Sequence, residues 1–147
     1  MVRTEKRLRL CAVLLILNLL FIWGNSLLPG ELSGALSQWI KDLLGIGGKD
    51  PDAGHGLLRK FAHFMEFACL GILLKWLLAM LQKPAWLALA CGGVAACADE
   101  TIQCFVPDRG PAVTDVLLDT AGVFVGMVIL LTICKLYKKS KHKENIT

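Results

Sequence analysis

Charge is scarce in this chain: 19% of its 147 residues are charged and 55% are hydrophobic, and the apolar residues lie in long blocks. That excludes an ordinary soluble domain of this length. The six cysteines (Cys11, Cys69, Cys91, Cys97, Cys104, Cys134) contain no CxxC pair and lie within or at the ends of the apolar blocks. They read as small packing residues. HExxH and the nucleophile elbow are both missing, so no established metal spacing or hydrolase motif is available. No clear small-x-small cleavage site follows the first block, whose apolar run is longer than a signal peptide's, so it is expected to stay as a helix.

What is present is four blocks long enough to cross a bilayer, which takes about 20 residues per helix. They run approximately over 8–28, 61–81, 85–105 and 112–134. The expected fold is an all-α integral membrane protein, a single domain spanning 1–147 with four transmembrane helices. Lysines and arginines give it direction. Arg3, Lys6, Arg7 and Arg9 precede the first block, Lys75 and Lys83 flank the second turn, and Lys135, Lys138, Lys139, Lys141 and Lys143 form a basic tail over 135–147. With an even number of spans these fall on one side, opposite Lys41, Lys49, Arg59, Lys60 and Arg109. The positive-inside rule then places both termini in the cytoplasm. So short a basic tail is a topology signal and implies no nucleic-acid partner.

Between the first two blocks, Leu32, Leu36, Trp39, Ile40, Leu43 and Leu44 recur at helical spacing, with Ser33, Ser37, Lys41 and Asp42 set to face away. This predicts an amphipathic helix over about 31–44 on the outer face, closed by Gly45, lying in the leaflet or packed over the bundle. A loop is expected over 47–56, and His55 and His142 are expected to be solvated. Pro84 and the 107–111 turn make neighbouring blocks antiparallel hairpins. Gly122 and Gly126 form a small-xxx-small pair suited to close helix packing.

Carboxylates inside the apolar blocks are the expensive feature, since a charge at the bilayer centre costs about 2.5–3.5 kcal/mol on insertion scales. The expected topology puts His63 and Glu66, Asp99, Glu100 and Gln103, and Asp115 and Asp119 at one depth in the outer leaflet. Lys60, His63 and Glu66 form one ridge, Asp99 and Gln103 lie four apart, and Asp115, Asp119, Gly122 and Gly126 share a face. Lys60 and Arg109 are the nearest cations, with Arg109 expected to fold back over the carboxylates and grip a phosphate or carboxylate.

These residues resemble a known family. Arg59-Lys60-Phe61-Ala62-His63-Phe64-Met65-Glu66-Phe67 is similar to the K-x-x-H-F-x-E-[YF] segment of VanZ-like proteins. Asp99-Glu100-x-x-Gln103-x-Phe105-x-Pro107-x-Arg109, followed by Asp115-x-x-x-Asp119-x-x-Gly122-x-x-x-Gly126, resembles the second half of that pattern. Asn25-Ser26 resembles its F-x-S-x-x-P element. Asp108 stands where that family usually has Gly, and Ile102 where many members have His. The resemblance implies a bacterial cell-membrane protein with an envelope role, related to teicoplanin resistance.

Three functions fit these residues. The site binds an envelope lipid or lipid-linked precursor, through Lys60, His63, Glu66, Asp99, Glu100, Gln103, Arg109, Asp115 and Asp119. Alternatively His63, Glu66, Asp99 and Glu100 carry intramembrane chemistry, metal- or His-dependent. Or the polar groups only fix helix pairing. The binding reading is preferred, with no metal and no cofactor.

Overall fold

The computed structural model describes residues 2–45 and 55–144. Among them there are five helices and no strand: α1 (Val2–Ser26), α2 (Gly30–Leu44), α3 (His55–Met80), α4 (Trp86–Gln103) and α5 (Val113–Glu144). The all-α expectation holds. Three helices are long and apolar enough to cross a membrane, over Thr4–Ser26, Gly56–Met80 and Val113–Lys141, so the chain is a multi-pass membrane protein. α4 differs: its 18 residues end in the polar set Asp99, Glu100 and Gln103, and they measure about 27 Å at 1.5 Å per residue.

Some boundaries move. α3 already begins at His55, ahead of the expected residue 61, and α5 runs on to Glu144, so the basic tail is helical that far. Between Lys135 and Glu144 no proline or glycine interrupts the helix, and lysines suit a helix C-terminus. Of the loop expected over 47–56, residues 47–54 lie outside the described residues, as do the side chains of His55 and His142.

The bundle is held by glycine at its closest crossing, α3 against α5. A Cβ at Gly122 would lie 2.5 Å from the Phe64 carbonyl oxygen, and one at Gly126 would strike that of Ala68. On the other helix, Gly71 meets the Val123 carbonyl. In lipid, where backbone approach and van der Waals contact drive helix pairing, small residues on both sides allow this. α4 fits alongside because Gly92 leaves room for the Val123 side chain. Phe67, Ile22, Leu70 and Val123 fill the interior.

One expectation about side-chain direction is corrected, that the cysteines serve as packing residues. Only Cys11 is buried; Cys69, Cys91, Cys97, Cys104 and Cys134 are exposed on the outer faces of the bundle. On α2, Leu32, Trp39 and Leu43 are 58%, 61% and 70% exposed, whereas Ser37 is buried and Ser33 turns to the bundle with it. Leu32, Trp39 and Leu43 therefore face outward, where they suit lipid, while Leu36, Ile40 and the two serines border the cavity under α2, beside Arg59 and His63. α2 ends where expected, at Gly45 with φ 67°.

The start of α2 docks on the α4–α5 turn: the Gly30 N–H donates to the Pro107 carbonyl at 3.3 Å. Asp108 in that turn has φ 58°, a left-handed conformation that costs a side chain other than glycine about 1 kcal/mol. This accounts for glycine being usual there in the resembling family. Asp108 is exposed, so Asp108→Gly should raise the unfolding temperature in detergent by about 2–4 °C. Differential scanning fluorimetry reads it, and a lower temperature would contradict the strain assigned to Asp108.

Candidate functional site

The candidate site residues come to one end of the bundle. The C-terminus of α1, the first half of α3, the last turns of α4 and the first turns of α5 meet there. Asp99, fully buried, accepts at Oδ2 from Ser26 Oγ and from Gln103 Nε2, both at 2.8 Å. Gln103 Nε2 also reaches Ser26 Oγ at 3.2 Å. Glu66 accepts at Oε1 from Asn25 Nδ2 at 2.7 Å. His63 Nδ1 lies 3.6 Å from Glu66 Oε2 and 4.0 Å from Asp99 Oδ2.

The remaining groups divide by role. Lys60 Nζ pairs with Asp115 Oδ1 at 2.5 Å, at the half-exposed rim. Glu100 Oε2 accepts the Ala112 N–H at 2.9 Å, an anion placed where the α5 N-terminus favours one. Arg109 departs from expectation. Its Nη2 donates to the Asn25 carbonyl at 3.2 Å, and among the described residues no arginine–carboxylate ion pair forms. The turn, closed by Arg109 N–H to Val106 O at 3.3 Å, leaves the guanidinium at the negative end of α1.

Several buried atoms have no hydrogen-bond partner: Arg109 Nε and Nη1, His63 Nδ1, Glu66 Oε2, Asp99 Oδ1 and Asp119 Oδ1. Burial, then the neighbouring Arg59 charge, push the Arg109 guanidinium below its ordinary pKa. Two cavities adjoin these atoms. The larger, of about 280 Å³, lies between α1, α2, α3 and the turn, with Phe21, Leu36, Ile40 and Leu58 as its apolar wall. Asn25, Arg59, His63, Glu66 and Arg109 form its polar end. The smaller, of about 10 Å³, approaches the least volume that holds one water-sized group. His63, Lys60, Asp115 and Asp119 line it, with Arg59 and Glu100.

A model of the VanZ/LLP1 family matches residues 9–135. The chain belongs to the VanZ/LLP1 family. In this family member the match takes in α2, α3 and α4 whole, α1 from residue 9 and α5 as far as residue 135. No curated protein and no solved structure matches the chain.

Three site residues of this VanZ/LLP1 protein are absent from the sequence-based set. Asn25 and Ser26 tie α1 to Glu66 and Asp99; their signal was a polar pair ending an apolar block. Arg59 lines both cavities, and its only sequence signal was its place beside Lys60.

Proposed function

We propose that the protein binds an amphiphile with an anionic headgroup, an envelope lipid or a lipidated ligand, in the larger cavity. The carrying observation is Arg109: two of its buried N–H donors, on Nε and Nη1, have no partner beside that cavity. Unsatisfied buried donors are costly, and a guanidinium fork matches phosphate or carboxylate. Arg59 adds a second positive charge, and the apolar wall suits an acyl or prenyl chain. Helix pairing alone accounts for Ser26, Asp99 and Gln103, which bond across α1 and α4. It gives Arg109 no reason to keep two donors free.

In this reading α4 is a fourth span, with its polar end in the outer leaflet and both termini in the cytoplasm of a bacterial cell. The outward apolar stripe of α2 rests in the same leaflet and roofs the cavity. The family resemblance adds a cell-envelope role tied to teicoplanin-type glycopeptide resistance.

Thermal unfolding in maltoside micelles tests the binding. Phosphatidylglycerol should stabilise the protein, by about 2.7 kcal/mol at a hundredfold excess over Kd, and phosphatidylcholine should do so far less. Equal stabilisation by both lipids would count against an anion-selective headgroup site.

A further inference from the structure

Behind the headgroup cavity lies a second set of unpartnered atoms with the opposite charge preference. One donor atom each from His63, Asp99 and Asp119 lies within 4.8 Å of the others. Asp99 and Asp119 are more than nine-tenths buried, at 0% and 2% exposure, and the His63 side chain is 11% exposed. Asp99 Oδ1 and Asp119 Oδ1 have no hydrogen-bond partner. They come from three different helices, so no spacing in the sequence announces them.

Two buried carboxylates, each with one oxygen lacking a hydrogen-bond partner, need a positive charge against them or must lose their own. Among the described residues no lysine or arginine forms an ion pair with either: Lys60 pairs with Asp115, and neither Arg59 nor Arg109 lies within ion-pair distance of a carboxylate. Asp99 is also held as metal ligands are held, by outer-shell hydrogen bonds. Ser26 and Gln103 occupy its Oδ2 and leave Oδ1 free. Glu66 Oε2, unpartnered and 3.6 Å from His63 Nδ1, is a further oxygen within reach.

We propose that His63, Asp99 and Asp119 bind one divalent first-row cation, of the Zn²⁺ or Mn²⁺ class, at the edge of the smaller cavity. One imidazole nitrogen with carboxylate oxygens is a donor set these ions share. Zinc bonds of about 2.0–2.2 Å require donors about 3.4 Å apart in a tetrahedral site. The donor atoms, now within 4.8 Å of one another, have to close to that range when an ion binds. The ion neutralises the carboxylates and ties α3, α4 and α5 together. His63 lines both cavities, so the cation lies next to the headgroup cavity. The site does not depend on a lipid being there.

The test uses the full chain in detergent, stripped with chelator and then titrated separately with Zn²⁺ and with Mn²⁺. Bound metal is counted by inductively coupled plasma mass spectrometry, and the Mn²⁺ signal is read by electron paramagnetic resonance. About one ion per chain is expected for at least one of the two metals, with a higher unfolding temperature on binding. Asp119→Asn, nearly isosteric, should lower affinity at least tenfold while the variant still elutes as the wild type does. Should Asp119→Asn not fold, the wild-type titration alone decides. Binding below about a tenth of an equivalent for both ions at millimolar concentration overturns the site. So does stoichiometric binding that Asp119→Asn leaves unchanged.

Discussion

Arg109→Ala is expected to remove the stabilisation that phosphatidylglycerol confers, with an affinity loss of about 100-fold or more. Two charge-assisted hydrogen bonds at about 1.5–3 kcal/mol each set that scale. Folding should survive, because among the described residues the guanidinium makes one hydrogen bond, to the Asn25 carbonyl, from a turn outside the three candidate spans. Arg109→Lys should fall between, since an ammonium keeps the charge and loses the fork. Lipid titration monitored by intrinsic tryptophan fluorescence measures all three proteins. On the proposed link to glycopeptide resistance, Arg109→Ala should also lose that resistance in cells at unchanged membrane abundance. Wild-type lipid affinity in the alanine variant would remove Arg109 from the site.

Gly126→Leu should have the largest effect on the fold. A Cβ at this position strikes the Ala68 backbone carbonyl, which cannot rotate away as a side chain can. Overpacking of this kind costs about 1–3 kcal/mol where side chains give way, and here α3 and α5 must separate. Their separation would also displace His63 and Asp119, which face each other from these two helices. The expected result is aggregation or a fall of at least about 10 °C in unfolding temperature, read by size-exclusion chromatography and scanning fluorimetry. Gly24→Leu is the control, because nothing lies within 4 Å of a Cβ there. Equal behaviour of the two variants would contradict close packing at Gly126.

Much of this was legible in the residues. Length and apolarity define the long helices, and Gly45 stops α2 in the left-handed conformation that glycine favours. The hairpins at Pro84 and at 107–111 bring His63, Asp99 and Asp119 to one level, because short turns align helix ends. The direction of α2 was not legible. Periodicity shows that Leu32, Trp39 and Leu43 share a stripe, and in a membrane such a stripe suits lipid as well as a core. Arg109's partner was hidden for a different reason. It depends on the turn through Asp108, whose positive φ follows from tertiary docking against Gly30. Asn25 and Ser26 carry little signal in the sequence, because neutral polar residues at a helix end are common. Only the fold reveals that they bond Glu66 Oε1 and Asp99 Oδ2.

The most direct measurement is native mass spectrometry of the protein released from micelles, wild type beside Arg109→Ala, both expressed in the same host. An anionic amphiphile should stay on the wild-type chain at about one copy and be missing from the variant. Lipid-free wild type, or the same adducts on both chains, would contradict a headgroup site built around Arg109.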